Sequence, residues 1–123
     1  MIGYVLVGTN DLKRAASFYD KLLAELGASR TWESERGITW GLSEDAPSFG
    51  VIKPYDGKMA TVGNGVMVAL AAGSRDQVDR MYRKAIELGG KDEGPAGPRG
   101  DGAYYAGYFR DLDGNKLSVY FEK

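Results

Sequence analysis

Residues 66–90 read VMVALAAGSRDQVDRMYRKAIELGG, and residues 3–27 read GYVLVGTNDLKRAASFYDKLLAELG. The two stretches share few identities, yet a shift of 63 positions lays one pattern over the other. Tyr4, Val5 and Val7 meet Met67, Val68 and Leu70, in what read as two short apolar strands. Asp11 meets Ser74, and both are residue types that cap a helix N-terminus. Ser74-Arg75-Asp76-Gln77 also has the S-x-x-Q spacing of a capping box. From there the apolar period changes from two to three and four. Ala15, Phe18, Tyr19, Leu22 and Leu23 meet Val78, Met81, Tyr82, Ala85 and Ile86, the stripe of an amphipathic helix in each copy. Gly27 meets Gly90, where each helix should stop. A pattern repeated at half the chain length means two copies of one supersecondary unit.

The rest of each half completes that unit. After Gly27, short extended pieces are expected at Arg30–Glu33, Gly37–Leu42 and Phe49–Lys53. Pro54-Tyr55-Asp56-Gly57 punctuates strongly and opens a linker over 54–64. In the second half, the Gly- and Pro-rich run Gly94–Gly102 reads as a loop or lid. Tyr104–Arg110 and Lys116–Phe121 read as strands joined by an Asp113-Gly114 hairpin turn. The fold class is therefore α+β. Two βαβββ repeats, 1–53 and 65–123, form a single domain over 1–123, a cupped mixed sheet with both helices on its outer face.

Composition removes whole classes of chemistry. The 123 residues contain no histidine and no cysteine. Disulfides, thiolate nucleophiles, Cys-type zinc sites and every triad with a histidine base are excluded. Sixteen basic against seventeen acidic residues give a net charge of −1, which argues against a nucleic-acid partner. No apolar run approaches the ~20 residues that cross a bilayer, so no membrane partner is expected. With no visible leader at the N-terminus, a cytoplasmic location is expected.

Strand alternation nominates a site. If Val5 and Val7 face a helix, Tyr4 faces the opposite side. If Val68 and Leu70 face a helix, so does Met67 face away from it. Leu117, Val119 and Phe121 leave Ser118 and Tyr120 for the open face, and Phe109 leaves Tyr104, Tyr108 and Arg110. Trp40 shares a face with Ile38, but the parity of that strand stays open. The candidate ligand-binding residues are thus Tyr4, Trp40, Met67, Tyr104, Tyr108, Arg110, Ser118 and Tyr120. Aromatic walls with a few polar tips suit a small organic molecule, and Arg110 or Arg99 offers an anion contact. Each also has a plainer reading: packing for the tyrosines, filler for Met67, and a hairpin ion pair with Asp111 or Asp113 for Arg110. No paired carboxylates stand where acid–base work is expected, so no catalytic residue is assigned.

Three stretches carry a family resemblance. Asn10-Asp11-Leu12-Lys13-Arg14-Ala15-Ala16-Ser17-Phe18-Tyr19, the second helix Ser74–Gly90, and Tyr108-Phe109-Arg110-Asp111-Leu112-Asp113-Gly114-Asn115 together resemble the vicinal oxygen chelate superfamily. That group includes glyoxalase I, extradiol dioxygenases and the bleomycin-resistance proteins. Leu112 stands where the family's closing hairpin usually has proline. The resemblance implies that metal ligands, where members use them, project from the first strand of each repeat and from the last strand. Those positions fall on Tyr4, Met67 and Ser118. A phenol, a thioether and a hydroxyl are poor ligands for a divalent cation, so neither a metal nor another cofactor is expected. The reading that follows is a metal-free protein that binds a small organic molecule. The alternative is a glyoxalase-like lyase or isomerase using atypical ligands such as Glu33, Glu35, Glu44 or Glu122. A third reading is a structural or regulatory partner whose cup no longer serves. The resemblance also implies a homodimer.

Overall fold

Two helices of 13 residues, α1 (Leu12–Ala24) and α2 (Arg75–Glu87), begin one residue after the expected capping side chains and stand at the same 63-residue offset. At α1, Asp11 Oδ1 accepts from the Arg14 backbone N–H at 3.1 Å. At α2, Ser74 Oγ accepts from the Gln77 N–H at 3.1 Å, and Gln77 Oε1 reaches back to the Gly73 N–H at 2.6 Å. The reciprocal bond thus lands one residue ahead of the cap. Gly89, at φ +101°, ends α2 in the left-handed conformation, with the Gly90 N–H on the Ala85 carbonyl.

The computed structural model describes residues 1–123 and divides them into two units, Met1–Val62 and Gly63–Lys123. In the first, β1 (Tyr4–Gly8), β2 (Ser29–Glu33), β3 (Gly37–Gly41) and β4 (Ser48–Ile52) form a mixed sheet in the order β1-β4-β3-β2. In the second, β5 (Val68–Ala71), β6 (Lys91–Arg99), β7 (Tyr104–Arg110) and β8 (Lys116–Glu122) follow the order β5-β8-β7-β6. In each, the strand before the helix pairs in parallel with the last strand, and the other pairings are antiparallel. The topology is a duplicated βαβββ unit, four strands and one helix each. No helix is long and apolar enough to cross a membrane.

The copies differ in length late in the unit. Val7 pairs with Val51, whereas Leu70, its counterpart, pairs with Val119, so the offset grows from 63 to 68 by the last strand. The extra residues lie in β6 and its turn. This corrects the expectation of a loop or lid over 94–102 for residues 94–99; residues 100–102 are the turn that remains of it. Lys91–Arg99 is a strand that tolerates Pro95 and Pro98 because it is the edge strand, where a missing N–H breaks no ladder on its outer side. Register shifts at Gly94, which has φ +150°, take up the irregularity. The expected strand from Val66 also starts later, at Val68.

Each helix covers one face of its own sheet. In the first unit Ala15, Phe18, Tyr19, Leu22 and Leu23 are buried with Ile38, Trp40, Phe49 and Val51. Tyr19 packs at 5.6 Å from Trp40 and 5.0 Å from Phe49, centroid to centroid. In the second, Val78, Met81 and Ala85 are buried with Phe109, Leu117 and Val119. A Cβ at Gly107 would stand 3.1 Å from the Tyr82 ring, which marks the side of β7 that α2 covers. The stretch after β4 returns to β1's end, where Asn10 and Ala60 exchange two hydrogen bonds of 2.7 and 3.2 Å.

Candidate functional site

The pairing registers fix which side chains stand on the face away from each helix. In the second unit, Tyr105, Gly107 and Phe109 lie on the helix side: Tyr105 donates to Asp79 of α2 at 2.7 Å, and Phe109 is fully buried. Tyr104, Ala106, Tyr108 and Arg110 therefore take the open face. Across the β7–β8 ladder, Tyr108 lies opposite Ser118, Ala106 opposite Tyr120 and Arg110 opposite Lys116. On the far side of β8, Ala69 and Ala71 lie beside Ser118 and Tyr120. Small alanines leave room over this part of the face.

The structure thus brings together five of the eight residues nominated from sequence: Tyr104, Tyr108, Arg110, Ser118 and Tyr120. Tyr104 and Tyr120 stack at 5.4 Å with 19° between their planes. Tyr108 is flanked by two cations, the Arg99 guanidinium at 5.4 Å and the Lys116 ammonium at 5.8 Å from its centroid. Arg99 is held in place by donating to the carbonyls of Pro95, Gly97 and Pro98. Neither Arg99 nor Lys116 has a carboxylate within ion-pair distance. Arg110 is partly neutralised by Glu93 at 3.4 Å and donates to the Gly114 carbonyl at 3.0 Å. The hairpin acids Asp111 and Asp113, expected as its partners, do not take it. Asp111 instead organises its own turn, accepting from the N–H groups of Asp113 and Asn115.

Ser118 sits at the centre of this face with no exposed surface, and its Oγ has no hydrogen-bond partner in the protein. The Tyr104 phenol is raised above its ordinary pKa, first by burial and then by Tyr108, Tyr120 and Glu122 nearby. The Ser118 hydroxyl lies close enough to oppose that rise without meeting hydrogen-bond geometry. Tyr104 stays neutral at physiological pH and keeps a proton to donate.

Of the remaining three nominees, Tyr4 and Trp40 belong to the first unit and Met67 to the second. Tyr4 is on the open face of the first sheet and 66 % exposed. With Leu6, Trp32, Thr39, Glu44 and Ile52 it lines an open hollow of about 490 Å³. Met67 precedes β5 and is 42 % exposed, outside the ladder. Trp40 is a correction: it faces α1, not the open side. β3 is buried on both faces, so its sequence carried no parity. The register sets Trp40 opposite helix-facing Phe49, and its indole N–H donates to Asp20 Oδ1 at 2.9 Å. Asp20 also takes Arg30 through both oxygens, at 2.9 and 2.7 Å, which holds its carboxyl below the usual range.

Sequence reasoning missed Trp32 and Lys116. Trp32 was unreadable because β2 is bulged: Arg30 lies opposite Trp40, while Trp32 lies opposite Thr39, so residues two apart take opposite faces. Lys116 was legible, since the alternation that gives Ser118 and Tyr120 extends to it.

The donor chemistry at Tyr4, Met67 and Ser118 does not fit a divalent metal, and no group of three or more His, Cys, Asp or Glu side chains gathers anywhere in the chain.

Comparison with known proteins agrees with this architecture. The Glyoxalase/Bleomycin resistance protein/Dioxygenase superfamily profile matches residues 1–119. The crystal structure of a glyoxalase/bleomycin resistance protein from Albidiferax ferrireducens T118 is 36 % identical with a TM-score of 0.91, covering 100 % of this chain and 99 % of that one. A glyoxalase-related enzyme from Fulvimarina pelagi superposes with a TM-score of 0.77 at 19 % identity, covering 99 % and 88 %. Lactoylglutathione lyase from Agrobacterium tumefaciens gives 0.71 at 17 %, covering 98 % and 92 %; these two speak for the fold alone. No curated protein matches. A profile that spans nearly the whole chain, together with the duplicated βαβββ topology, places the chain in the glyoxalase/bleomycin resistance protein/dioxygenase superfamily.

Proposed function

We propose that this protein binds a small organic molecule on the open face of its second sheet and does so without a metal. The observation that carries the reading is the gathering of Tyr104, Tyr108 and Tyr120 on that one face, half-buried and unclaimed by α2. Aromatic side chains supply large contact area at low entropic cost and pair well with a flat ligand. The unsuitable donors at Tyr4, Met67 and Ser118 support the metal-free part. We infer also that the chain forms a homodimer, supported by the exposed apolar side chains Ile2, Tyr4, Trp32 and Leu42. Light scattering at micromolar concentration tests that, with a purely monomeric species counting against it.

The binding reading is tested by a fragment collection screened by thermal shift, because a ligand that prefers the native state raises its apparent stability. Hits are then mapped by amide chemical shifts. Expected are shifts centred on β7 and β8, and a loss of affinity of at least tenfold in Tyr108→Ala. Hits whose affinity is unchanged in both Tyr104→Ala and Tyr108→Ala refute the assignment.

A further inference from the structure

We propose that the ligand of this face is an anion, a planar aromatic carboxylate, and that Ser118 is its buried hydrogen-bond anchor. The inference rests on the binding reading above and adds the charge and the polar contact. Two independent observations carry it. The first is the charge of the face. Arg99 and Lys116 flank Tyr108 at 5.4 and 5.8 Å and have no carboxylate partner, while Arg110 has only Glu93 at 3.4 Å. Glu122, opposite Tyr104, is the other acid on this face. Lys91, opposite Arg110, is on this face too; four cations against two acids, on a chain whose total charge is −1, concentrate positive potential here. Arg99 is pre-positioned by three carbonyls, so little side-chain freedom is lost when an anion arrives.

The second observation is Ser118. A buried hydroxyl that meets no hydrogen-bond geometry within the protein is rare; the Tyr104 phenol lies near it without completing a bond, and a ligand acceptor is one thing that satisfies it. It lies opposite Tyr108 and two residues along β8 from Lys116, about 7 Å on a strand. A carboxylate reaching Lys116 or Arg99 can therefore take a proton donor from Ser118 once the Tyr104 side chain beside that buried hydroxyl moves aside, while its ring lies against the tyrosines of this face. Arginine and lysine give the charge contact, the serine gives direction, and the tyrosines give area.

The test uses three probes of one shape: 2-naphthoate, 2-naphthamide and 2-naphthylmethylammonium. Each is titrated into the full chain by calorimetry and by amide chemical-shift mapping. Expected is saturable binding of 2-naphthoate with shifts on β7 and β8, at least tenfold weaker binding of the amide, and weaker still of the ammonium. Lys116→Gln should lower naphthoate affinity about tenfold and Ser118→Ala about three- to tenfold. Arg83→Gln, the same charge change on the exposed side of α2, should leave it unchanged. The inference is overturned if the ammonium or amide binds as tightly as the acid on the same face, or if Lys116→Gln and Ser118→Ala both leave the affinity intact. Those results leave the binding reading standing. Failure of all three probes to shift β7 and β8 overturns the inference, while the fragment screen decides the binding reading separately.

Discussion

Replacing Ser118 with alanine should make the ligand-free protein more stable while weakening what it binds. The Ser118 hydroxyl is fully buried and has no partner in the fold. Burying an unpaired hydroxyl costs about 1–3 kcal/mol in proteins. Removing one oxygen leaves a void on the order of 10 Å³, which returns about 0.2 kcal/mol of that gain. A net stabilisation of about 1 kcal/mol is the conservative expectation. For a chain of 123 residues, an unfolding entropy of about 2.1 cal/mol/K per residue converts this to a rise in Tm of about 4 °C. The assay is paired thermal and urea unfolding of the wild-type protein and Ser118→Ala, without ligand and then with saturating 2-naphthoate. The expected signature is a crossing: the variant melts higher without ligand, yet gains less from ligand. A variant that melts lower than wild type without ligand refutes the reasoning, because the hydroxyl must then be satisfied in the fold, by the Tyr104 phenol beside it. Loss of function on stabilisation is what a residue kept for binding predicts.

Trp40→Phe should cost about 1–2 kcal/mol, from the lost indole bond to Asp20 and a smaller ring against Tyr19, with naphthoate affinity unchanged because Trp40 faces α1; calorimetry showing a tenfold affinity loss would restore it to the site. The Asp20 carboxyl is lowered by Arg30 and Trp40, so its contribution is full above the ordinary carboxylate pKa of 3.8 and fades as pH falls through its lower folded value. Urea midpoints for Asp20→Asn should therefore depend less on pH below about 4 than those of the wild type, and parallel curves there would contradict the assignment. Zinc, nickel, manganese and iron(II) should each bind weakly and without fixed stoichiometry, as read by calorimetry and elemental analysis; a tight one-to-one metal would sink the metal-free reading.

The repeat, both helix starts and the open-face tyrosines were legible from residue order alone, because each rests on a local rule. Asp11 and Ser74 cap helices through their own nearest backbone donors. The strict alternation of Leu117, Val119 and Phe121 assigns Ser118 and Tyr120 to the other side without reference to any neighbour. Lys91–Arg99 was not legible, since glycine and proline speak for a loop until an edge position makes a strand of them. Arg30 and Trp32 took opposite faces only through a bulge set by the partner strand.

What the sequence determined by itself was the plan: two βαβββ units, no histidine or cysteine chemistry, and Tyr4, Met67 and Ser118 at positions where the family resemblance expects metal ligands. Tertiary structure decided the parity of Trp40, because a strand buried on both faces has no polar side to betray its orientation, and only pairing with Phe49 settles it. It also decided the charge of the open face of the second sheet. Arg99, Lys116 and Glu93 come from separate strands, and whether a cation meets an acid is a matter of three-dimensional distance, which no residue order contains.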